Sequence, residues 1–180
     1  ESDAGPSTSD CDYDSSTMPN DLLELLSRIS PKRTSVKRIT VNRDCLLADS
    51  ICAFKSTLFD FDQTFRITFE NEAAIDGGGP TREYFTLLLK ELVSPSSSIR
   101  LFEGQENRLI PMHNTDALRG GIFKVAGRMI ASSIINGCPS FPCLAPPIYT
   151  YLLTGSVDEA VEAATPEDIA DIEVRSILTE

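Results

Sequence analysis

The stretch that decides the fold reads Asp76-Gly77-Gly78-Gly79-Pro80-Thr81-Arg82-Glu83-Tyr84-Phe85. Upstream, Phe65-Arg66-Ile67-Thr68-Phe69 alternates apolar and polar residues, which predicts a strand with Phe65, Ile67 and Phe69 on one side. Downstream, Tyr84 to Val93 is almost continuously apolar and predicts a helix central to the core. Pro80 stands where proline best starts a helix. A strand, a glycine turn and a helix invite a phosphate-binding reading, because backbone amides at a helix start cradle anions. The specific forms need G-x-x-x-x-G-K-[ST] or G-x-G-x-x-G. Here Pro80-Thr81-Arg82 follows the glycines, Pro80 has no amide hydrogen, and Glu72 and Asp76 repel a phosphate. The structural reading is preferred. The glycines turn the chain, with Gly78 or Gly79 in a conformation a side chain disfavours, and Arg82 pairs with Glu72 or Asp76.

Outward from this block, Ile39-Thr40-Val41-Asn42 predicts a strand and Asp44 an N-cap. In the helix that follows, Leu47, Ile51, Phe54 and Leu58 form one apolar stripe. Arg100 to Glu103 and Arg108 to Ile110 predict a hairpin around the polar turn Gly104-Gln105-Glu106-Asn107. Thr115 to Ile135 reads as one long helix with Leu118, Ile122, Val125 and Met129 on a common face. Its Gly120, Gly121 and Gly127 cost helix propensity, so a close-packed neighbouring backbone is expected there. Pro146-Pro147 starts a short helix, and Thr165 is an N-cap ahead of helical spacing in Ile169, Ile172 and Ile177.

Charge is uneven along the 180 residues. The chain carries a net charge of −11, with residues 1–30 at −6, residues 31–60 at +3 and residues 121–180 at −5. Glu1 to Asn20 is rich in Ser, Thr and Asp with almost nothing to bury, so disorder is expected. Asp21 to Ile29 has the leucines of a short amphipathic helix, and Pro31 to Arg38 is a basic connector, read as a solvated linker ahead of nuclear-import recognition. The folded part is expected from Ile39 to Glu180, with 1–38 as acidic tail and linker. The acidic balance argues against nucleic acid, and no apolar run reaches the roughly 20 residues of a membrane-spanning helix. Glu1 in place of a starting Met, with no signal segment, gives the expectation of an excised piece.

The five cysteines, Cys11, Cys45, Cys52, Cys138 and Cys143, are odd in number and include no C-x-x-C pair. They read as reduced thiols of the cytosol or nucleus. Cys45 and Cys52, seven apart, are expected on a buried helical face. With His113 the only histidine, no metal site and no cofactor is expected.

Taken together, these residues resemble the opening of a HECT domain, the catalytic domain of one class of ubiquitin-protein ligases. Family members read V-x-R, then L-L-x-D-S, then V-x-F-x-x-E, then D-x-G-G-x-x-R-E-F-F. This chain has Val41 to Arg43, Leu46 to Ser50, Phe69 with Glu72, and Asp76 to Phe85 in that order. Leu101-Phe102 and Phe123 to Ala131 are similar to later family elements. Asn136 to Leu144 is similar to a passage in divergent HECT-like ligases that carry PHD fingers. The resemblance implies a mostly helical α+β fold, the larger subdomain of a HECT N-lobe, with short strands and a hairpin. It implies a parent ligase that takes ubiquitin from a conjugating enzyme as a cysteine thioester and passes it to a substrate lysine. None of the five cysteines stands at a family position for the nucleophile, so no catalytic residue is assigned. The conjugating enzyme, ubiquitin and substrate would be met through parts beyond this match, and the remainder of the HECT domain is the expected partner. A non-catalytic, HECT-derived interaction module is the alternative. Arg43, Asp49, Glu72, Asp76, Gly78, Gly79, Arg82 and Glu83 are expected as structural motif residues, their polar groups joining core elements.

Overall fold

In the computed structural model, the residues described are 35–57, 59–72 and 78–179, together with Glu24, Ser27 and Arg28. The chain divides into two units, Glu1–Ser30 and Pro31–Glu180. In the first, Glu24, Ser27 and Arg28 are helical, and Arg28 pairs with Glu24 one turn away at 2.8 Å. The expected disorder of residues 1–20 lies outside the described residues.

The second unit is mostly helical with short strands, as the α+β reading expects. It opens with strand β1 (Ser35–Val41), a 3-10 turn (Arg43–Cys45), helix α1 (Leu46–Phe54) and strand β2 (Gln63–Phe69). β1 and β2 pair in parallel, in register from Ser35 opposite Gln63 to Val41 opposite Phe69. The strand therefore begins four residues ahead of Ile39. Lys37, assigned to the linker from sequence, sits in the fold. Its ammonium donates to the Ala53 carbonyl at 3.0 Å, and burial, then Arg128, lowers its pKa. Arg128 donates to the carbonyls of Phe54 and Ser56, and both cations lie over the Phe59 ring. Together they satisfy the carbonyls that the end of α1 leaves without helical partners.

The N-cap at this helix differs from the expectation. Asn42, not Asp44, caps the 3-10 turn, its side chain accepting from the Asp44 amide. Because α1 starts late and ends at Phe54, its inward face is Leu46, Leu47, Ser50 and Phe54, and Cys45 and Cys52 turn outward. Leu58, the last residue of the expected stripe, lies outside the described residues.

Helix α2 (Gly79–Val93) crosses behind the strands and buries Thr81, Tyr84, Phe85, Leu88, Leu89 and Leu92. Phe54 stacks on Phe65 at 5.4 Å between centroids, and Phe65 meets Phe85 edge-on at 6.0 Å, so strand and helices share one aromatic core. The hairpin forms as β3 (Phe102–Gln105) and β4 (Arg108–Pro111), with His113 exposed in the loop after it.

The expected helix over 115–135 is two helices, α3 (Thr115–Arg119) and α4 (Ile122–Ile135). Gly121 between them takes φ +69°, a left-handed conformation that ends one helix and opens the next. The break turns Leu118 out to 68% exposure while Val125 and Met129 stay buried. The expected close-packed backbone is absent at Gly121 and Gly127, where an added Cβ would meet nothing within 4 Å.

Beyond α4, Leu109 bonds through its amide to the Cys143 carbonyl and through its carbonyl to the Ala145 amide. Helices α5 (Pro146–Thr154) and α6 (Val157–Glu162) follow, then a 3-10 turn (Pro166–Asp168) and α7 (Ile172–Thr179). Thr165 caps only that single turn, in a reciprocal box with Asp168, and the helix expected after it starts instead at Ile172, behind Asp171. Arg108 reaches across from β4 to the Asp168 carboxylate at 2.6 Å. Ile172 and Ile177, by contrast, are exposed.

Candidate functional site

The parallel register brings the motif residues together. With Val41 opposite Phe69, the chain leaves both strands at the same end, and Arg43 and Glu72 emerge side by side. Asn71 turns the chain with φ +64°, a conformation asparagine tolerates, and the Glu72 amide bonds back to the Phe69 carbonyl. Arg43 then lies 3.9 Å above the Phe69 ring and donates twice to the Glu72 carboxylate, at 2.5 and 3.1 Å. Its third arm meets Glu83 on α2 at 2.8 Å. One guanidinium thus ties together the 3-10 turn, the end of β2 and the second turn of α2.

Asp49 works from below. Its carboxylate accepts from the Asn42 amide at 2.8 Å, pinning α1 to the end of β1. Its neighbour Ser50 donates its hydroxyl to the Leu46 carbonyl at 2.6 Å, so the Tyr84 hydroxyl, 2.7 Å away, donates to Ser50. Burial pushes the Tyr84 phenol well above its ordinary range, and the ring is fully enclosed. The L-L-x-D-S and R-E-Y blocks are therefore bonded to each other inside the core.

Gly78 stands just before α2 with φ +107°, and Gly79 is the first helical residue. The Arg82 amide bonds to the Gly78 carbonyl. The expected pair between Arg82 and Glu72 does not form, because Arg43 takes Glu72. Neighbours on a helix point about 100° apart, so only one of Arg82 and Glu83 faces the strand ends, and it is Glu83. Asp76 lies outside the described residues.

Reading from sequence missed Asn42, Phe69, Ser50 and Tyr84 as parts of this arrangement. The three-residue interval between Phe69 and Glu72 carried the signal, since it matches one tight turn folding a carboxylate back toward the strand end.

Chemically the cluster is quiet. The hydrogen bonds that Arg43 donates to Glu72 and then to Glu83 raise its pKa, and accepting from Arg43 lowers that of Glu72, so both stay ionised and neither moves a proton near neutral pH. Beside it, an open cleft of about 750 Å³ runs between the start of α1 and the end of α2, lined by Arg43, Cys45, Leu47, Leu87, Lys90 and Ser94. Burial, then Glu106, raises the Cys143 thiol, which disfavours the reactive thiolate. Among the described residues, no group of three His, Cys, Asp or Glu is placed to hold a metal. No helix among them is long and apolar enough to cross a membrane.

In sequence, the chain is a relative of E3 ubiquitin-protein ligases, and its motif block resembles the front of the N-lobe in the HECT class. Over 114 residues it is 31% identical to mouse apoptosis-resistant E3 ubiquitin protein ligase 1, covering 61% of this chain and 14% of that protein. Over 162 residues it is 26% identical to the G2/M phase-specific E3 ubiquitin-protein ligase of Macaca fascicularis, covering 87% of this chain and 21% of that protein. Over 126 residues it is 28% identical to the E3 ubiquitin-protein ligase Nedd-4 of Drosophila melanogaster, covering 67% and 12%. These matches span between 12% and 21% of the relatives' own lengths. No family model matches the chain.

Proposed function

We propose that these residues are the scaffold portion of a HECT-type ubiquitin-protein ligase, working in the cytosol or nucleus. The parent protein accepts ubiquitin from a conjugating enzyme on a cysteine and passes it to a substrate lysine. The chemistry belongs to a lobe these 180 residues do not include. The observation that carries this reading is the use of the motif block. Arg43, Glu72 and Glu83 are spent on one another, and Ser50 and Tyr84 are enclosed, which suits holding elements together.

A non-catalytic interaction module is the second reading, favoured by the exposed apolar side chains Leu152, Leu153, Val157 and Val161. The two separate in the natural full-length protein, with Cys11, Cys45, Cys52, Cys138 and Cys143 all replaced by Ala. Incubated with activating enzyme, a panel of conjugating enzymes and ubiquitin, this variant should still form a thiol-sensitive ubiquitin adduct. An adduct that disappears with these five substitutions would place the nucleophile in this segment. A full-length protein that forms none at all would favour the interaction module.

A further inference from the structure

The C-terminal part of the fold is anchored by charge more than by apolar burial. Among the described residues from Pro146 to Leu178, Asp168 is the one that is buried, at 7% exposure. The apolar side chains of α7 do not anchor it, since Ile172 is 71% exposed and Ile177 73%. A helix normally docks through an apolar face, so a lone buried carboxylate is an unusual anchor.

The two ends of the α5–α6 excursion return to neighbouring residues of one strand. Leu109 of β4 holds the first end, donating its amide to the Cys143 carbonyl at 2.8 Å and accepting from the Ala145 amide at 2.9 Å. Arg108 holds the second, donating to Asp168 Oδ1 at 2.6 Å and to the Thr165 hydroxyl at 3.1 Å. Gln105, opposite Arg108 in the hairpin, adds a bond to the Glu167 carbonyl at 2.9 Å. The first anchor is backbone pairing, and the second is made by side chains reaching out from the hairpin.

Beyond the second anchor, the segment is held together from within. Asp168 Oδ2 accepts from the Thr165 amide and hydroxyl, at 2.9 and 3.0 Å. The Asp171 carboxylate accepts from the Glu173 and Val174 amides at the start of α7, and Arg175 reaches back to the Ile169 carbonyl. These bonds do not involve the hairpin, so they survive when the segment leaves it. The ion pair itself suits a contact that opens. The Arg108 side chain is 35% exposed, and water rehydrates both ions when they part, so the pair's net worth is small although removal of either partner alone is costly.

We infer that Arg108 and Asp168 form a latch, and that residues 165–179 swing off the hairpin as a unit about Ala163-Ala164 while the core and the Leu109 anchor stay folded. Both partners of every contact in the latch belong to this chain, so it does not depend on the ligase reading or on any further lobe.

Amide hydrogen exchange of the 180-residue chain reads the latch directly. In the parent, α7 amides should open at lower free energy than those of α2 and without sensitivity to low urea, because local opening exposes little surface. Arg108→Gln and Asp168→Asn should each lower protection in residues 167–179 about tenfold or more, with α2 remaining the more protected element. Arg108→Lys, which keeps a charge to pair with Asp168, should recover part of the protection. The double variant should be no less protected than the weaker single one, because the two changes break one contact. A urea dependence in α7 equal to that in α2 would overturn the inference, because the segment would then open only with the whole fold. So would protection in α7 unchanged by either substitution, protection in α2 falling to the level of α7, or losses that add fully in the double variant.

Discussion

At the scale of single residues, the glycines of the motif block have different jobs. Gly78 is held at φ +107°, whereas Gly79 is already helical, and neither would bring an added Cβ within 4 Å of another group. Any cost at Gly78 is therefore backbone strain. Gly78→Ala should destabilise by about 1 kcal/mol or more, while Gly79→Ala should be neutral or stabilising by up to about 1 kcal/mol. Urea unfolding of the pair checks this, and equal losses would mean the turn is placed wrongly. Tyr84→Phe removes the donor to Ser50 and should cost about 0.5–1.5 kcal/mol. In a Ser50→Ala background the same change should cost less, because the hydroxyls act as a pair. The Arg43 triad was only half legible in the sequence. Its residues stand out in the sequence, but the expectation there is Arg82 paired with Glu72 or Asp76, whereas Glu72 pairs with Arg43, twenty-nine residues away. Sequence distance favours local pairs, and only the parallel strand register brings the distant one close.

Among elements, the strands, the hairpin and α2 were readable because period-two alternation and an apolar run survive in one sequence. Two features were not. The parallel pairing of β1 with β2 depends on α1 crossing between them, and alternation alone does not give strand direction. The break between α3 and α4 hid because apolar spacing continues from Leu118 to Ile122 straight through Gly120-Gly121. Within α4, Ser132 is a fully buried hydroxyl with no hydrogen-bond partner among the described residues, and burial without a partner is unfavourable. Ser132→Ala should therefore leave stability unchanged or raise it by up to about 1 kcal/mol, read as a melting temperature that does not fall. The tie between β4 and the 3-10 turn at Asp168 should respond to acid. Burial opposes the Asp168 charge, but the Thr165 amide and Arg108 outweigh it and hold the carboxyl below its usual range. With its folded pKa depressed, its contribution is present above the unfolded value of about 4 and is lost as pH falls through the folded one. Asp168→Asn should thus destabilise at pH 7, and the gap to the parent should close as pH drops below about 4. A gap independent of pH would mean that the carboxylate charge contributes nothing.

For the whole molecule, one core spans β1, β2, α1, α2 and α4, with Tyr84, Phe85, Leu88 and Leu92 of α2 at its centre. The helices after Ala145 are tied on by backbone bonds around Leu109 and by Arg108, with little burial of their own. Leu88→Ala should cost about 2–5 kcal/mol and unfold the core, whereas truncating Leu153 should change stability little. In this division the described side chains of the motif block, Arg43, Glu72, Glu83, Ser50 and Tyr84, join core elements to one another. The most direct measurement of the proposed scaffold role is a non-reducing gel of the 180-residue chain after incubation with activating enzyme, a panel of conjugating enzymes and ubiquitin. The account predicts no thiol-sensitive ubiquitin adduct on the chain. An adduct that disappears on Cys138→Ala or Cys143→Ala would contradict it and make this segment catalytic.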